Sequence, residues 1–200
     1  MLKTFGAVAG ALLLTAGLAQ AQTSTNPQPA PGGMVSPPVT NSPAAGSSAR
    51  SGQDSDYQAV MNAKVSLLQA IDTAEGQGRG RAIEAEFDDD DGGRWEIKVI
   101  QADGKLVEHV INATTGQITR SQNQPVERFF TRLKPADVQN APTSLKQAIS
   151  IAEKRVAGAK VIEAEIDRDN DKLVYELEVR GPDRSQDVEI DATGSVLTKN

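Results

Sequence analysis

A short pattern of residues is written twice into this chain, so whatever fold one copy adopts the other must adopt as well. Ser66-Leu67-Leu68-Gln69-Ala70-Ile71 followed by Ala74-Glu75 returns as Ser144-Leu145-Lys146-Gln147-Ala148-Ile149 followed by Ala152-Glu153. Ile83-Glu84-Ala85-Glu86-Phe87 returns as Ile162-Glu163-Ala164-Glu165-Ile166, and Trp95-Glu96-Ile97-Lys98-Val99 as Tyr175-Glu176-Leu177-Glu178-Val179. Ile111-Asn112-Ala113-Thr114-Thr115-Gly116 closes the first copy, and Ile190-Asp191-Ala192-Thr193-Gly194 closes the second. Blocks in the same order, separated by small loop slips, are an internal duplication; two copies are too few to imply a solenoid.

Each block has a conformation dictated by its spacing. Ser66 and Ser144 stand three residues before Gln69 and Gln147, the spacing at which hydroxyl and amide satisfy two orphan N–H groups at a helix start. Leu67, Ala70, Ile71 and Ala74, and Leu145, Ala148, Ile149 and Ala152, then recur at helical spacing, giving each helix one apolar stripe. Tyr57, Val60, Met61 and Val65 allow a helical turn before the first. After each helix the period falls to two. Ile83, Ala85 and Phe87 alternate with Glu84 and Glu86, as Ile162, Ala164 and Ile166 do with Glu163 and Glu165, which predicts half-buried strands. Trp95/Ile97/Val99 and Tyr175/Leu177/Val179 predict the next strands, and Val107/His109/Ile111 and Val188/Ile190 the third. The fold class is therefore α+β: two repeated modules, each a helix packed on a three-stranded antiparallel sheet whose other face stays polar.

The segments around the modules read differently. Lys3, the apolar stretch Phe5 to Leu18 and Ala19-Gln20-Ala21 make residues 1–21 a signal peptide, with the apolar run short of the roughly 20 residues a membrane-spanning helix needs. Residues 22–55 are rich in Pro, Ser and Gly and poor in large apolar side chains, the composition of a disordered linker. The ordered chain divides into a first repeat (56–119), a connector (120–142) and a second repeat (143–200). The expected location is periplasmic or secreted, with no stable membrane insertion after signal cleavage. The chain has no cysteine, which removes an N-terminal lipid anchor, disulfides, thiolate catalysis and Cys-based metal sites.

The Ser-Leu-x-x-Ala-Ile-x-x-Ala-Glu helix, the Ile-Glu-Ala-Glu strand, the aromatic-Glu-aliphatic strand and the closing Ala-Thr-Gly turn resemble the PepSY domain family. The resemblance covers about residues 64–118 and 143–197. Asn112 stands where Asp is usual, and the second copy drops one residue in its closing turn. The resemblance implies a non-enzymatic exported module that binds and restrains peptidases or serves as a protein-interaction domain at the cell envelope. It carries no catalytic residues to transfer.

The residues agree with that. His109 is the single histidine, too few for a His-based zinc site or a Ser-His-Asp triad, and it aligns with Val188 at an inward strand position, which predicts a packing role. Glu84, Glu86, Glu163 and Glu165 are expected to line a solvated sheet face, where a carboxylate dyad with one raised pKa lacks the burial it needs. No catalytic residue and no cofactor is expected. Asp167, Asp169 and Asp171, with Glu178 in the twelfth position, match the carboxylate register of a calcium-binding loop. Against that reading, Lys172 occupies the position of the turn glycine, and Tyr175 to Val179 reads as strand where a helix is required.

The formal net charge is −6 and no basic cluster is present, which excludes nucleic acid and anionic membrane surfaces as natural partners and favours a basic protein face. Two features could meet a protein partner: the glutamate face, and Phe129 and Phe130. In the connector Val126, Phe129, Phe130 and Leu133 fall at helical spacing before Pro135, which predicts a short amphipathic helix packed between the modules, or exposed for a partner. Two functions follow. The first is a non-enzymatic protein-interaction module that inhibits or modulates a peptidase; the alternative is a structural or ligand-sensing periplasmic protein binding calcium weakly at its acidic turns.

Overall fold

The computed structural model describes residues 57–78, 80–182 and 184–197; the signal-peptide and linker assignments lie outside the described residues. Residues 57–62 are helical. Helix α1 (Leu67–Glu75) then leads into strands β1 (Gly80–Asp88), β2 (Arg94–Gln101), β3 (Leu106–Asn112) and β4 (Ile118–Asn123). Two short helices, α2 (Pro125–Phe130) and α3 (Pro135–Gln139), form the connection. Helix α4 (Leu145–Arg155) opens the second repeat, followed by β5 (Lys160–Asp169), β6 (Lys172–Arg180), β7 (Ser185–Asp191) and β8 (Val196–Leu197).

Both long helices begin as their sequences require. The Ser66 and Ser144 hydroxyls accept from the backbone N–H of Gln69 and Gln147, and each Gln side chain accepts in return from the cap's own N–H, at 2.9 and 2.7 Å. The stripes Leu67/Ala70/Ile71/Ala74 and Leu145/Ala148/Ile149/Ala152 are buried, α1 against β1 and β2 and α4 against β5 and β6. Ile71 and Ile149 are wholly buried, each contributing about 1.5–3 kcal/mol of transfer free energy. The β1–β2 hairpin closes through Gly93 at φ 91°, where an added Cβ would lie 2.9 Å from Phe87 Cζ; the Phe87 and Trp95 rings meet edge-on with centroids 4.8 Å apart.

A second device ties helix to sheet in both copies. Trp95 Nε1 donates to the carbonyl of Val65 at 2.8 Å, and the Tyr175 hydroxyl donates to the carbonyl of Thr143. Val65 and Thr143 each precede the capping serine. The aromatic of each repeat's second strand thus pins the entry of its own repeat's helix.

The duplication is plain, but the sheets are not separate three-stranded units. Among the described residues all strands join in one eight-stranded antiparallel sheet, ordered β4-β3-β2-β1-β5-β6-β7-β8, with the long helices on one face. Each repeat has a fourth strand after its closing turn, β4 and β8, and β4 runs to Asn123, inside the segment read as connector. The two sheets fuse because β1 and β5 would otherwise be bare edges with unpaired N–H and C=O groups. They pair with each other at Glu84↔Glu165, Ala85↔Ala164 and Glu86↔Glu163. Ala85 and Ala164, equivalent by repeat, lie opposite one another on a local two-fold axis.

Candidate functional site

The sheet face away from the long helices carries two rows of acidic residues, and the register shows how they arise. One row crosses the sheet through Glu96, Glu86, Glu163, Glu178 and Asp187; the next runs through Glu108, Lys98, Glu84, Glu165, Glu176 and Glu189. The four glutamates picked out by alternation sit at the centre, directly across the β1–β5 ladder from each other. Their neighbours Glu96, Glu176, Glu189 and Asp187 were legible too, as the out-of-phase residues of strands whose inward residues the sequence defines. Which strands adjoin was not.

Among the described residues, compensating cations are few and lie toward the flanks. Arg94 pairs with Asp88 at 2.6 Å and Glu96 at 3.2 Å, Arg120 with the buried Glu108 at 2.6 Å, and Arg180 with Glu178 at 2.5 Å. At the seam it is Lys98 that intervenes, bridging Glu84 at 2.8 Å and Glu127 of α2 at 2.5 Å. Burial alone would lower the Lys98 pKa, but the Glu84 charge and the hydrogen bonds to both carboxylates raise it overall.

The glutamate face, expected to be solvated, is only partly so. Glu84, Glu163 and Glu165 are half-buried, and only Glu86 of the four is exposed. Partial desolvation, then the Glu84 and Glu176 charges, pushes Glu165 up to about 7. Desolvation and the Glu163 charge take Glu86 to about 7 as well, with Glu86 the more exposed of the two. Glu163 is raised by desolvation and by Glu178. Carboxyls raised in this way sit in a field that favours protons or cationic groups.

The other nominated residues are placed differently. Asp167 lies 3.9 Å from Arg132, Asp171 lies 3.6 Å from Arg168, and Asp169 accepts from the Asn170 amide at 3.1 Å. Glu178 sits in the body of β6, opposite Glu163 and Asp187 and paired to Arg180, so the four proposed calcium ligands do not converge. The reason is the one visible in the sequence: the segment is a strand, which carries the twelfth position away from the turn instead of folding it back. Among the described residues, the carboxylates that do come together are Asp88, Asp89 and Asp90, within 4.8 Å in the first hairpin turn.

The connector also departs from expectation. Val126 is 72 % and Phe129 83 % exposed, while Leu133 is buried, so α2 does not pack its apolar residues between the repeats. Glu127 and Arg128 anchor it instead, to Lys98 and to the carbonyl of Gly104 at 2.6 Å. Phe130 ends α2. His109 is buried as expected, its Nδ1 2.8 Å from Ser121 Oγ on β4, and burial lowers its pKa. No described helix is long and apolar enough to cross a membrane. On the helix side a cleft of about 560 Å³ is lined by Glu75, Arg81 and Lys146, with Lys146 already paired to Asp72 and Glu75.

Comparison with known proteins gives two results. The PepSY family model, described as peptidase propeptide and YPEB domain, matches residues 64–122 and 142–199. A solved structure of a candidate lipoprotein from Clostridium difficile 630 is similar at 19 % identity, covering 72 % of this chain and 97 % of that one, with a TM-score of 0.43. No curated protein matches the sequence.

Proposed function

The chain belongs to the PepSY family, and on that premise we propose that it is an exported, non-catalytic module that binds a secreted or envelope peptidase and restrains it. The observation that carries the reading is the open acidic sheet face. It is broad, laterally continuous across both repeats, and short of cations at its centre, so a basic protein surface would gain contacts that water and salt do not supply. The family description as a peptidase propeptide supports a peptidase as that partner. Phe129 and Val126, standing out from α2 beside the face, would add apolar contact at its margin.

The test is direct. Secreted metallopeptidases of the source organism are assayed with and without the purified chain at low and high salt, beside a Glu176→Lys/Glu189→Lys variant. Inhibition that weakens in salt and is lost in the variant is expected. Unchanged rates across these enzymes, with no detectable complex, would count decisively against it.

A further inference from the structure

The seam between the repeats has a geometry that its two-fold symmetry forces on it. An antiparallel pair of equivalent strands, centred on Ala85 and Ala164, sets Glu84 against Glu165 and Glu86 against Glu163. Like charges directly opposite across a ladder repel. The neighbouring ladders have partial relief: β1 meets Lys98 on β2, and Glu178 has Arg180 beside it, although Glu86 still faces Glu96 and Glu165 faces Glu176. The seam ladder itself places no cation opposite a glutamate. Its pairing spans three residue pairs, against a β1–β2 ladder running from Gly80↔Gln101 to Asp88↔Arg94. Both seam strands also shift register against their own repeat partner at equivalent points, Ala82/Glu84 and Val161/Glu163.

We propose that the β1–β5 joint is a proton-operated latch between the two repeats, closed when its glutamates share protons and loosened on the acidic face when they ionise. The charged groups facing it are known. From β2 come Arg94, Glu96 and Lys98, from β6 Glu176, Glu178 and Arg180, from β7 Asp187 and Glu189, from α2 Glu127, and Asp167 lies further along β5. The cations Lys98, Arg94 and Arg180 are each already paired with carboxylates and are outnumbered by the acids, so ionising the seam adds charge to an environment already negative.

On the helix side the repeats are tied by contacts that lie away from the seam glutamates. Lys146 of α4 pairs with Asp72 and Glu75 of α1, and the Tyr57 hydroxyl donates to the carbonyl of Gly158 at 2.9 Å. Loosening is therefore a hinge on the acidic face rather than a separation of the halves. The sign follows from linkage. Carboxyls whose values rise from 4.5 to about 7 in the closed joint bind protons more tightly there than when freed. Closure is favoured fully below the ordinary value and loses that support as pH rises toward 7 and beyond.

Native-state hydrogen exchange on the mature chain tests this from pH 5 to 8, with rates corrected for intrinsic exchange. Peptides covering β1 and β5 should lose about tenfold or more in protection toward pH 8, while β2 and β3 hold theirs. In a Glu86→Gln/Glu165→Gln variant the seam should keep its protection at pH 8 and lose its pH dependence. Seam peptides that move in step with β2 and β3 would overturn the proposal, and so would a double variant that keeps the parent's profile. The reading does not depend on a peptidase partner, and either can fail without the other.

Discussion

Replacing Tyr175 by Phe isolates the bond that pins the second helix. The ring is wholly buried and would stay so, because the substitution removes the hydroxyl alone. What it strands is the carbonyl of Thr143, a residue only 6 % exposed, which then loses its partner in a place closed to solvent. An unsatisfied buried acceptor costs about 1–3 kcal/mol. At roughly 2–4 °C per kcal/mol for a domain somewhat larger than 100 residues, Tm should fall by about 5 °C, measured by calorimetry, with the urea m-value unchanged. Trp95→Phe removes the matching 2.8 Å bond to Val65 and shrinks a wholly buried ring besides, so it should cost more, about 3–4 kcal/mol. A Tyr175→Phe protein melting within about 1 °C of the parent would refute the reasoning, since its only lost interaction is the one invoked. So would a larger loss than Trp95→Phe, because both variants strand one carbonyl and only the second leaves a cavity.

Ser66→Ala and Ser144→Ala each remove a capping hydroxyl and should each cost about 1 kcal/mol in urea denaturation; a double variant no less stable than either single one would show that the caps do not act at separate helices. Lys98→Met strips the seam of its cation beside Glu84 and Glu127, and should destabilise more at pH 8 than at pH 5.5, where the raised carboxyls of Glu86 and Glu165 carry protons; equal losses at both pH values contradict this. Any rise in Tm on adding calcium should survive Asp169→Asn, since Asp167, Asp169, Asp171 and Glu178 do not converge; a rise abolished by that change places an ion where the register argues against one.

The helices and the inner faces of the strands were legible because their signals are local. A serine three residues before a glutamine specifies a cap wherever it stands, and alternation fixes which side of a strand is buried. Alternation does not say which strand lies next door. Hence Glu84 and Glu86 could be assigned to the polar face while their crowding against Glu163 and Glu165 across the seam could not. Strand β4 escaped notice because Ile118-Thr119-Arg120-Ser121-Gln122-Asn123 has one apolar residue and is held as an edge by its ladder to β3, not by a buried face. The exposure of Phe129 was hidden for a related reason. Helical spacing of Val126, Phe129 and Leu133 shows that they could share a face, but α2 ends at Phe130, so Leu133 reaches the core from outside the helix.

The crowding of acid at the seam follows from duplication itself. A strand reading Glu-Ala-Glu, copied and paired antiparallel about its central alanine, must place glutamate on glutamate, whatever the rest of the module does. Relief can come only from the strands one step out, and there the copies have diverged: Lys98 in the first repeat corresponds to Glu178 in the second. The first copy neutralises Glu84 across its own ladder, whereas the second sets a further carboxylate against Glu163 and spends its nearest cation, Arg180, on that one. The difference at this one pair makes the joint lopsided. The surplus charge of Glu86, Glu163 and Glu165, none of which faces a cation across its ladders, must be met by protons, by a basic partner, or by strain in the shortest ladder between two long strands of the sheet.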